Sequence, residues 1–529
     1  MKKTIERKHL DKLLQEQKFV EYDELVRSAQ LPAGELNAMR AIGFMKAREH
    51  QKAETFFLKA LESDPDNILA NGHYAQLLIS EKRHKAGLPY AEKAHQRAPK
   101  HLQFALNLAA CLSESDRHGD AHRVLKPFAE VDSPEAKVLV AYATLLRADL
   151  QTVEAIAQLE RARELFPENA EAQKAIADAY SEMDPALASQ AFSRADQTLP
   201  NNMGLRWNWS FVELRLKNFQ LAWELYETGL EDKIGKVGRP LPAQVRAVPR
   251  LLNLDNLDPN KWTLLCAEQG LGDQVLFYST LREAMRDIPK LVLIAEQRMV
   301  PVLKRSFPTL EVYPFTMAGV FAAQTHKING LYPIGSLMKR YRSSISAFGQ
   351  TEFPYLVPNP DLVTKYKTAI LKHHPKDKII GLSWRGGYWE RQKRTKSLDF
   401  EALAPLFRMP GVRFVSLQYG DTAAEKELAT KNKLPVSFIS GVDFQKDIDG
   451  WFALISACDH IVSVSTAMVH FAAASGKKVE LLLSSYQSPF IWSTDVGPSY
   501  AYPSVNIHRM EKEEGMEAFV ERVKNGMKL

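Results

Sequence analysis

Three stretches of this 529-residue chain carry side chains suited to proton transfer or to holding an anion. The first contains Asp273, which follows Gly270 and Gly272 between an apolar run and a segment with helical spacing of apolar residues. A strand, a glycine turn and a helix opened by aspartate are typical of nucleotide-binding α/β domains, where glycine lets the backbone turn tightly. We expect Asp273 at the N-cap of this helix. It is either a capping residue only, or a carboxylate at the rim where ligands of open α/β sheets bind.

The second stretch is basic and follows an apolar run at residues 379–384. It contains five cations and one acid: Arg385, Glu390, Arg391, Lys393, Arg394 and Lys396. Cations in a loop after a strand suit an anion such as a diphosphate. The alternative is a basic loop that is simply solvated.

The third stretch, residues 463–470, runs from an apolar strand pattern into a helical one. The amide groups and the dipole at a helix start favour phosphate, and the Thr466 hydroxyl could add a donor. His470 lies one turn later and could face a ligand or the core; for a lone histidine we expect the core. The pair Asp447 and Asp449 superficially resembles a metal-binding Asp-x-Asp sequence, but its position in a predicted helix indicates an ordinary helix-start pair of acids.

These stretches belong to a region in which strand and helix patterns alternate, as in parallel doubly wound sheets. The first half has predicted strands at residues 262–267, 291–295 and 310–315. The second half has predicted strands at 379–384, 412–418, 436–439, 460–464, 479–483 and 505–508, and predicted helices at 400–408, 447–457, 466–475 and 513–524. Between the halves, the proline-rich residues 353–360 predict an interdomain hinge.

The chain upstream repeats itself. Prolines recur at 33 to 35 residue intervals, at Pro65, Pro99, Pro134, Pro167 and Pro200. Alanines and large apolar residues fall in register before most of them, which is the tetratricopeptide pattern of paired helices. A last helix pair is rich in aromatic residues, which indicates a face that docks on the neighbouring domain or, alternatively, a peptide-binding surface. Such arrays usually bind a protein segment.

The predicted fold class is therefore mixed: an all-α tetratricopeptide superhelix followed by two Rossmann-like α/β domains. We place capping helices at residues 1–32, the repeat array at 33–232, a first α/β half at 233–358 and a second at 359–529. We expect the two α/β halves to face each other across a cleft, although several kinds of two-domain enzyme share that outline.

The composition is that of a globular protein, with 45% hydrophobic and 25% charged residues. The net charge of +6 is mild for a nucleic-acid binder, so no nucleic-acid partner is expected. The three cysteines, Cys111, Cys266 and Cys458, lie far apart in apolar surroundings and predict reduced core thiols. Without a run apolar enough for a signal segment or a membrane span, we expect a cytoplasmic protein.

A resemblance rests on four motifs taken in order behind the repeats. They are Glu-Gln-Gly-Leu-Gly-Asp at 268–273, Gly-Leu-Ser-Trp-Arg-Gly-Gly at 381–387, Ser-Leu-Gln at 416–418, and Ser-x-Ser-Thr-Ala-x-x-His-x-Ala-Ala-x-x-Gly at 463–476. Together they resemble the bacterial repeat-containing glycosyltransferases. The catalytic part of these enzymes is similar to the ADP-heptose:lipopolysaccharide heptosyltransferases and has the GT-B arrangement of two facing domains. The resemblance covers about residues 35–510.

The resemblance implies an inverting, metal-independent transferase that uses a nucleotide-diphosphate sugar and no further cofactor. By position, Asp273 in the Gly270–Gly272 loop matches the family's general base. The residues matching its donor-binding positions are Arg385, Lys396, Gln418, Thr466, Ala467, Met468 and His470. One position departs from the family: Ser465 stands where the family turn has an aspartate, which puts the donor sugar, and activity itself, in question.

The function that these patterns favour is transfer of a sugar to a protein hydroxyl presented along the repeat groove. A serine or threonine of a surface protein such as flagellin is the favoured acceptor. Within the enzyme class, the alternative acceptor is lipopolysaccharide or another glycan. A different class of protein is also compatible with the sequence: a repeat scaffold for protein interactions whose transferase part is inactive, with Ser465 as the first sign.

Overall fold

The computed structural model describes residues 7–230, 238–317, 320, 324, 327–387, 395–483, 490–511 and 513–527. These residues form two compact units, which divide between Tyr180 and Ser181. The first unit is all-helical. The second contains three more helices of the array, followed by the α/β region.

The first ten of the eleven helices described in the first unit form five consecutive pairs. The bounds of the eleven helices are α1 Arg7–Gln15, α2 Phe19–Ser28, α3 Ala33–Lys46, α4 His50–Ser63, α5 Ile68–Ser80, α6 His84–Arg97, α7 Leu102–Ser113, α8 His118–Ala129, α9 Ala136–Ala148, α10 Thr152–Leu165 and α11 Ala170–Tyr180. Small side chains such as Ala41, Ala53 and Ala60 are fully buried where paired helices approach, and Phe57 fills the space beside them. The predicted tetratricopeptide-like array is confirmed.

Two local devices repeat with the sequence period. The turn inside each pair places a residue in the left-handed region, at Arg48, Lys82, Asp116 and Leu150, which reverses the chain between the two helices. After Pro65, which lies beyond the end of α4, an asparagine caps the next helix: the Asn67 side chain accepts a hydrogen bond of 2.9 Å from the amide of Ala70. The same cap recurs after Pro167 and Pro200, at Asn169 and Asn202.

In the second unit, helices α12 Pro185–Thr198, α13 Met203–Arg215 and α14 Phe219–Glu227 precede the first sheet. This sheet consists of β1 Trp262–Cys266, β2 Leu291–Ala295, β3 Glu311–Pro314 and β4 Ile328–Pro333. The strands are parallel in the order β3-β2-β1-β4. Strand β4 was not predicted. The helices between and after these strands are α15 Leu271–Tyr278, α16 Leu281–Asp287, α17 Val300–Ser306, α18 Leu337–Tyr341 and α19 Ile345–Phe348.

The second sheet is also parallel, except at one edge. Its strands are β5 Lys378–Ser383, β6 Val412–Ser416, β7 Val436–Phe438, β8 His460–Val464, β9 Lys478–Leu483, β10 Gly497–Pro498 and β11 Val505–Arg509, in the order β10-β11-β9-β8-β5-β6-β7 with β10 antiparallel. The helices are α20 Pro360–Leu371, α21 Ala404–Phe407, α22 Ala423–Lys431, α23 Ile448–Ala457, α24 Ala467–Ala474 and α25 Met516–Gly526. Helices α20 and α22 and the short strand β10 were not predicted. An α/β region with parallel sheets is confirmed, whereas the GT-B arrangement and the domain bounds stay predictions.

The aromatic residues of α13 and α14 form a docking face within the second unit. Trp223 is buried, and its indole N–H donates a 2.8 Å hydrogen bond to the carbonyl of Arg342. The ring of Phe219 lies 5.1 Å from that of Phe348 and 5.5 Å from that of Tyr500. Large apolar side chains therefore tie the end of the array to the α/β region, which is the first of the two interpretations given above.

Two smaller predictions have different outcomes. The segment at 353–359 is irregular, as predicted, and Tyr355 and Leu356 are buried there, with their amides donating to the carbonyl of Ala474; an interdomain hinge stays a prediction. The cysteines are free, buried thiols, as predicted, and burial raises the pKa of Cys111 to about 11 and that of Cys458 to about 12.

None of the helices in the part of the chain described above is long and apolar enough to cross a membrane.

Candidate functional site

Asp273 lies at the start of α15, at the carboxyl end of β1. The helix begins at Leu271 with Gly270 as its N-cap, so Asp273 is the third helical residue and not the N-cap expected from the sequence. Its carboxylate accepts a hydrogen bond from the backbone amide of Gly270. An acid at this position that reaches back to the cap amide stabilises a helix start, so Asp273 does cap the helix, from one turn inside it.

The surroundings of Asp273 disfavour its charge. Burial and the nearby Glu268 carboxylate raise the pKa of Asp273 to about 6, although the Gly270 amide and Lys396 act in the opposite direction. A carboxyl group with this pKa is mostly ionised at neutral pH, yet it binds a proton far more readily than an ordinary aspartate. Such a match to the working pH is what general base catalysis requires.

The two glycines of this turn, Gly270 and Gly272, do not have the expected role of allowing a tight turn of the backbone. The residue in the left-handed region is Gln269, with φ of 71°, whereas Gly270 has an ordinary φ of −68°. Gly272 is needed for close approach: a Cβ placed there would lie 3.1 Å from Cδ2 of His470 and 3.5 Å from Cα of Ala467. Glycine therefore lets the start of α15 pack directly against the start of α24.

We expect Gly272→Val to lower the free energy of unfolding by about 1–3 kcal/mol, because the added methyl groups must separate α15 from α24. Gly119→Val is a matched control: Gly119 is also the second residue of its helix, and a Cβ there would meet nothing within 4 Å. Urea unfolding of both variants measures the difference. An equal loss of unfolding free energy in the two variants would mean that the close approach at Gly272 does not contribute to stability.

The turn after β8 forms the other side of this contact. Thr466 is the N-cap of α24, and its hydroxyl is buried with no hydrogen-bond partner among the described residues. The Ser465 hydroxyl accepts a 3.0 Å hydrogen bond from the indole N–H of Trp492. Ala467 is half-buried at the helix start, whereas Met468 is fully buried and belongs to the core.

His470 is buried, as expected for a lone histidine, but it lies beside α15. Its Nδ1 is 2.9 Å from the hydroxyl of Tyr502, and its ring lies 5.2 Å from that of Trp492. Burial lowers the pKa of His470 to about 4, so the ring is neutral at neutral pH. A hydrogen bond between the hydroxyls of Tyr502 and Tyr355 extends this contact, and Tyr355 donates in turn to the carbonyl of Val275 in α15.

The start of the basic stretch is held by Gln418. The side-chain oxygen of Gln418 accepts hydrogen bonds from the amides of Trp384 and Arg385, at 3.0 and 2.8 Å. Its NH₂ group donates to the carbonyls of Arg385 and Tyr419. The hydrogen-bonding capacity of Gln418 is thus used within the protein, and its role here is to fix the loop after β5.

The predicted cations of this loop have different surroundings. The guanidinium of Arg385 forms an ion pair with Glu425 and also donates to the carbonyl of Asp421. Lys396 is half-buried near Asp273; burial lowers its pKa, and the Asp273 carboxylate partly opposes that effect. The other predicted cations, Arg391, Lys393 and Arg394, and the acid Glu390 lie outside the described residues.

The loop after β5 also touches the turn after β8, since a Cβ on Gly386 would lie 3.0 Å from the carbonyl oxygen of Ser465. Asp273, Lys396 and the turn at 465–467 therefore belong to one site at the carboxyl ends of β1, β5 and β8. Arg385 and Gln418 lie at its edge, with their side chains bound to other parts of the protein.

The Asp-x-Asp sequence is a helix start, as interpreted above. Asp447 caps α23 by accepting a 2.8 Å hydrogen bond from the amide of Gly450, and Asp449 forms an ion pair with Arg305. Among the residues that the structure describes, no group of three or more histidine, cysteine, aspartate or glutamate side chains could hold a metal ion. Independence from metal remains a prediction.

Sequence reasoning missed the residues that lie behind Asp273. Three of them are Tyr226 and Glu227 at the end of α14 and Arg239 in the linker. The fourth is Glu268, whose charge acts on Asp273, the candidate base. The Glu268 position is part of a recognised motif. Nothing local distinguishes Arg239, which stands between Gly238 and Pro240 in a linker that contains other basic residues.

A search against protein-family models gave no match. The chain is 28% identical over 545 aligned residues to Protein FlbA of Caulobacter vibrioides, and the alignment covers 92% of this chain and 89% of that protein. Among solved structures, a tetratricopeptide repeat protein of Parabacteroides merdae aligns with 43% of this chain and 92% of its own, at 14% identity and a TM-score of 0.38. The type IV pilus biogenesis factor PilW aligns with 38% of this chain and 93% of its own, at 18% identity and a TM-score of 0.33. The chain is therefore similar to Protein FlbA over most of its length, and its described helical array has the paired helices that the repeat pattern predicted.

Proposed function

We propose that the chain is an inverting glycosyltransferase that moves a sugar from a nucleotide-diphosphate donor to a serine or threonine hydroxyl of a protein. The observation that carries the proposal is the packing of two helix starts at the Gly272 contact with His470 and Ala467. It brings a carboxylate suited to proton transfer next to a helix start suited to phosphate.

The reaction divides between the two sides of this site. The Asp273 carboxylate removes the proton of the acceptor hydroxyl while that oxygen forms a bond to the anomeric carbon of the sugar. The bond from this carbon to the donor diphosphate breaks, and the departing nucleoside diphosphate takes the electron pair. Attack from the face opposite to the leaving group inverts the anomeric centre.

The donor side has groups that stabilise the negative charge of the leaving diphosphate. The start of α24 offers backbone amides and the positive end of the helix dipole, and the Thr466 hydroxyl adds a donor that no described residue uses. Lys396 supplies a positive charge close to Asp273. Groups fixed in place before the reaction stabilise developing charge at little cost of reorganisation.

The proposed acceptor is a protein because tetratricopeptide arrays in general bind protein segments. The similarity to Protein FlbA extends over 92% of the chain, so that protein matches both the helical array and the α/β region. A surface protein of the flagellin kind is the acceptor we propose to test first.

A second candidate function is an inactive interaction scaffold, and the hydrogen bonds of the turn favour it. The Ser465 hydroxyl, at the position of the family's aspartate, is bound to Trp492, and the Arg385 guanidinium is paired with Glu425. In this candidate, the α/β region stabilises the end of the array and binds no nucleotide.

Binding of nucleoside diphosphates separates the two candidates. For the transferase, one nucleoside diphosphate, or its sugar, should raise the melting temperature; at 100 times its dissociation constant a ligand adds about 2.7 kcal/mol of stability. Lys396→Met should weaken this effect, since it removes a charge from the phosphate side. Lys477→Met is the matched control, because Lys477 is also half-buried with a pKa lowered by burial but lies beyond the far end of α24.

The readout is thermal unfolding of the parent and the two variants with each nucleotide in turn. Absence of any shift with folded parent protein would favour the scaffold. A shift that Lys396→Met leaves as large as Lys477→Met does would place the nucleotide away from the proposed site.

A further inference from the structure

A buried cluster of charges lies behind the candidate site. The Arg239 side chain is completely buried, and so is that of Glu268, whose Oε1 lies 2.8 Å from Nη2 of Arg239. On its other side, Nη1 of Arg239 lies 2.7 Å from Oε1 of Glu227, the last residue of α14. The Ser336 hydroxyl links two of these residues, because it accepts from Arg239 and donates to Glu227. One arginine thus connects the end of the array to the strand that carries the candidate site.

Glycines frame this cluster where no side chain fits. Gly238 has φ of 103°, and a Cβ there would lie 2.4 Å from the carbonyl oxygen of Gly229. The two backbones therefore touch, and the Arg239 amide donates a 2.8 Å hydrogen bond to Gly229. At Gly335, a Cβ would lie 2.5 Å from Oε1 of Glu268 and 2.8 Å from Nη2 of Arg239. This close fit holds Arg239 and Glu268 in one position.

Hydrogen bonds that involve backbone groups connect the cluster to the turn before Asp273. Glu268 accepts a 2.9 Å hydrogen bond from the amide of Gly335, beyond β4. The next residue, Gln269, donates through its side chain to the carbonyl of Gly238 and accepts from the side chain of Gln274 at its own carbonyl, both at 3.0 Å. The strained backbone of Gln269 is thereby fixed from both sides, and with it the start of α15.

Titratable groups from several elements surround Asp273. They are Glu268 in its own turn, Lys396 after β5, Tyr502 before β11, His470 in α24 and Tyr226 in α14. The two tyrosines remain neutral, because burial raises the pKa of each well above its usual value, and His470 is neutral at neutral pH. Glu268 and Lys396 are therefore the charges that act most directly on Asp273. Arg239 contacts Glu268 directly, and Glu227 contacts Arg239, so both influence Asp273 through Glu268.

We propose that Glu227, Arg239 and Glu268 form a positioning network that holds the turn and the electrostatic surroundings of Asp273, and so makes the last helix of the array a part of the candidate site. The inference rests on the proposed function only in treating Asp273 as a base. The network itself follows from the ion pairs, the burial and the three glycines.

The test is a direct titration of Asp273 that needs neither donor nor acceptor. In the full chain, Asp273 is labelled with a water-soluble carbodiimide and an amine, which react with the protonated carboxyl, and labelling is measured by peptide mass spectrometry from pH 4 to 8. We expect a midpoint near 6 in the parent protein. Glu268→Gln should lower the midpoint by about 0.5 unit or more, because a nearby negative charge is removed. Glu227→Gln should lower it by a smaller amount.

The matched control is Glu283→Gln. Glu283 forms a 2.7 Å ion pair with the buried Arg342 in the same unit, but this pair lies outside the cluster of Glu227, Arg239 and Glu268. The labelling midpoint of Asp273 in Glu283→Gln should equal that in the parent protein. Circular dichroism of each variant establishes that it is folded, and Glu268→Gln, which keeps the shape of the side chain, tests the idea even if Glu227→Gln is unstable.

An unchanged midpoint in folded Glu268→Gln or in folded Glu227→Gln would overturn the network, and so would an equal shift in Glu283→Gln. Sugar transfer by the parent protein, measured separately, tests the proposed function. If the variants shift the labelling midpoint of Asp273 but the parent protein transfers no sugar, the network is supported and the proposed function is rejected. If the parent protein transfers sugar but the midpoints do not shift, the function is supported and the network is rejected.

Discussion

Asp273→Asn should lower the rate of sugar transfer by about two to four orders of magnitude, the usual contribution of a general base. The amide keeps the size of the side chain but cannot accept the proton of the acceptor hydroxyl. In the parent protein the carboxylate is the active form, so the rate should fall as the pH drops below the pKa of about 6. The measurement is transfer to the acceptor protein as a function of pH, in both proteins.

The same substitution has a predicted effect on stability with a defined sign. Folding raises the pKa of Asp273 from 3.8 to about 6, so the ionised carboxyl costs stability; this cost is absent below pH 3.8 and complete above about 6. Asp273→Asn should therefore be more stable than the parent by about 2–3 kcal/mol at pH 8, and the difference should disappear below pH 3.8. A variant that is inactive and also less stable at pH 8 would indicate damage to the fold instead of loss of a base.

The matched control for Asp273 is Asp120→Asn. The sequence His-Gly-Asp at the start of α8 places Asp120 at the third helical position, as Leu-Gly-Asp places Asp273 in α15. Hydrogen bonds from Arg117, together with its charge and that of Arg123, lower the pKa of Asp120, so its substitution should weaken the helix start and leave the pH dependence of transfer unchanged. Equal loss of transfer in both variants would count against a role for Asp273 as a base.

Arg239→Met should lower the free energy of unfolding by about 3–5 kcal/mol, the largest stability effect that we expect in this chain. The substitution leaves the fully buried Glu268 carboxylate without its cation, and removing one partner of a buried ion pair costs far more than the pair contributes. The measurement is urea unfolding followed by tryptophan fluorescence. Arg282→Met is the control: Arg282 and Glu352 form a more exposed pair, which should contribute less than about 1 kcal/mol.

A double variant identifies the cause of this loss. Arg239→Met combined with Glu268→Gln removes the uncompensated charge and should recover part of the stability lost in Arg239→Met alone. If the double variant is no more stable than Arg239→Met, then the loss comes from contacts that both variants lack, such as the packing of the long arginine side chain over the ring of Tyr226, 4.5 Å away.

The repeat array could be predicted almost completely, since its signals are local. Proline spacing, small residues at helix contacts and an asparagine cap such as Asn67 each act within one repeat, and the structure has two helices in each predicted repeat. In the α/β region, strands such as β8 were predicted to the residue because buried parallel strands are continuous apolar runs. Strand β4 was missed because Asn329 and Gly330 interrupt its apolar pattern.

The candidate site was predicted less well than the elements that carry it. The turns after β1, β5 and β8 were found, and Asp273, Lys396 and Thr466 lie in one site. The side-chain partners were not predictable: Arg385 is paired with Glu425 and Gln418 holds a loop, because hydrogen bonds to distant backbone and acids decide where such side chains point.

By itself the sequence determined which segments form helices and strands, and that a glycine turn with an aspartate follows the first strand, because these features depend on neighbours along the chain. Only the tertiary structure decided what that aspartate can do. Its pKa of about 6 comes from burial, from Glu268 and from Lys396, and Arg239 and Glu227 hold Glu268 in place from the linker and the last helix of the array. Desolvation and Coulomb interactions depend on distance in space, and residues far apart in sequence supply both.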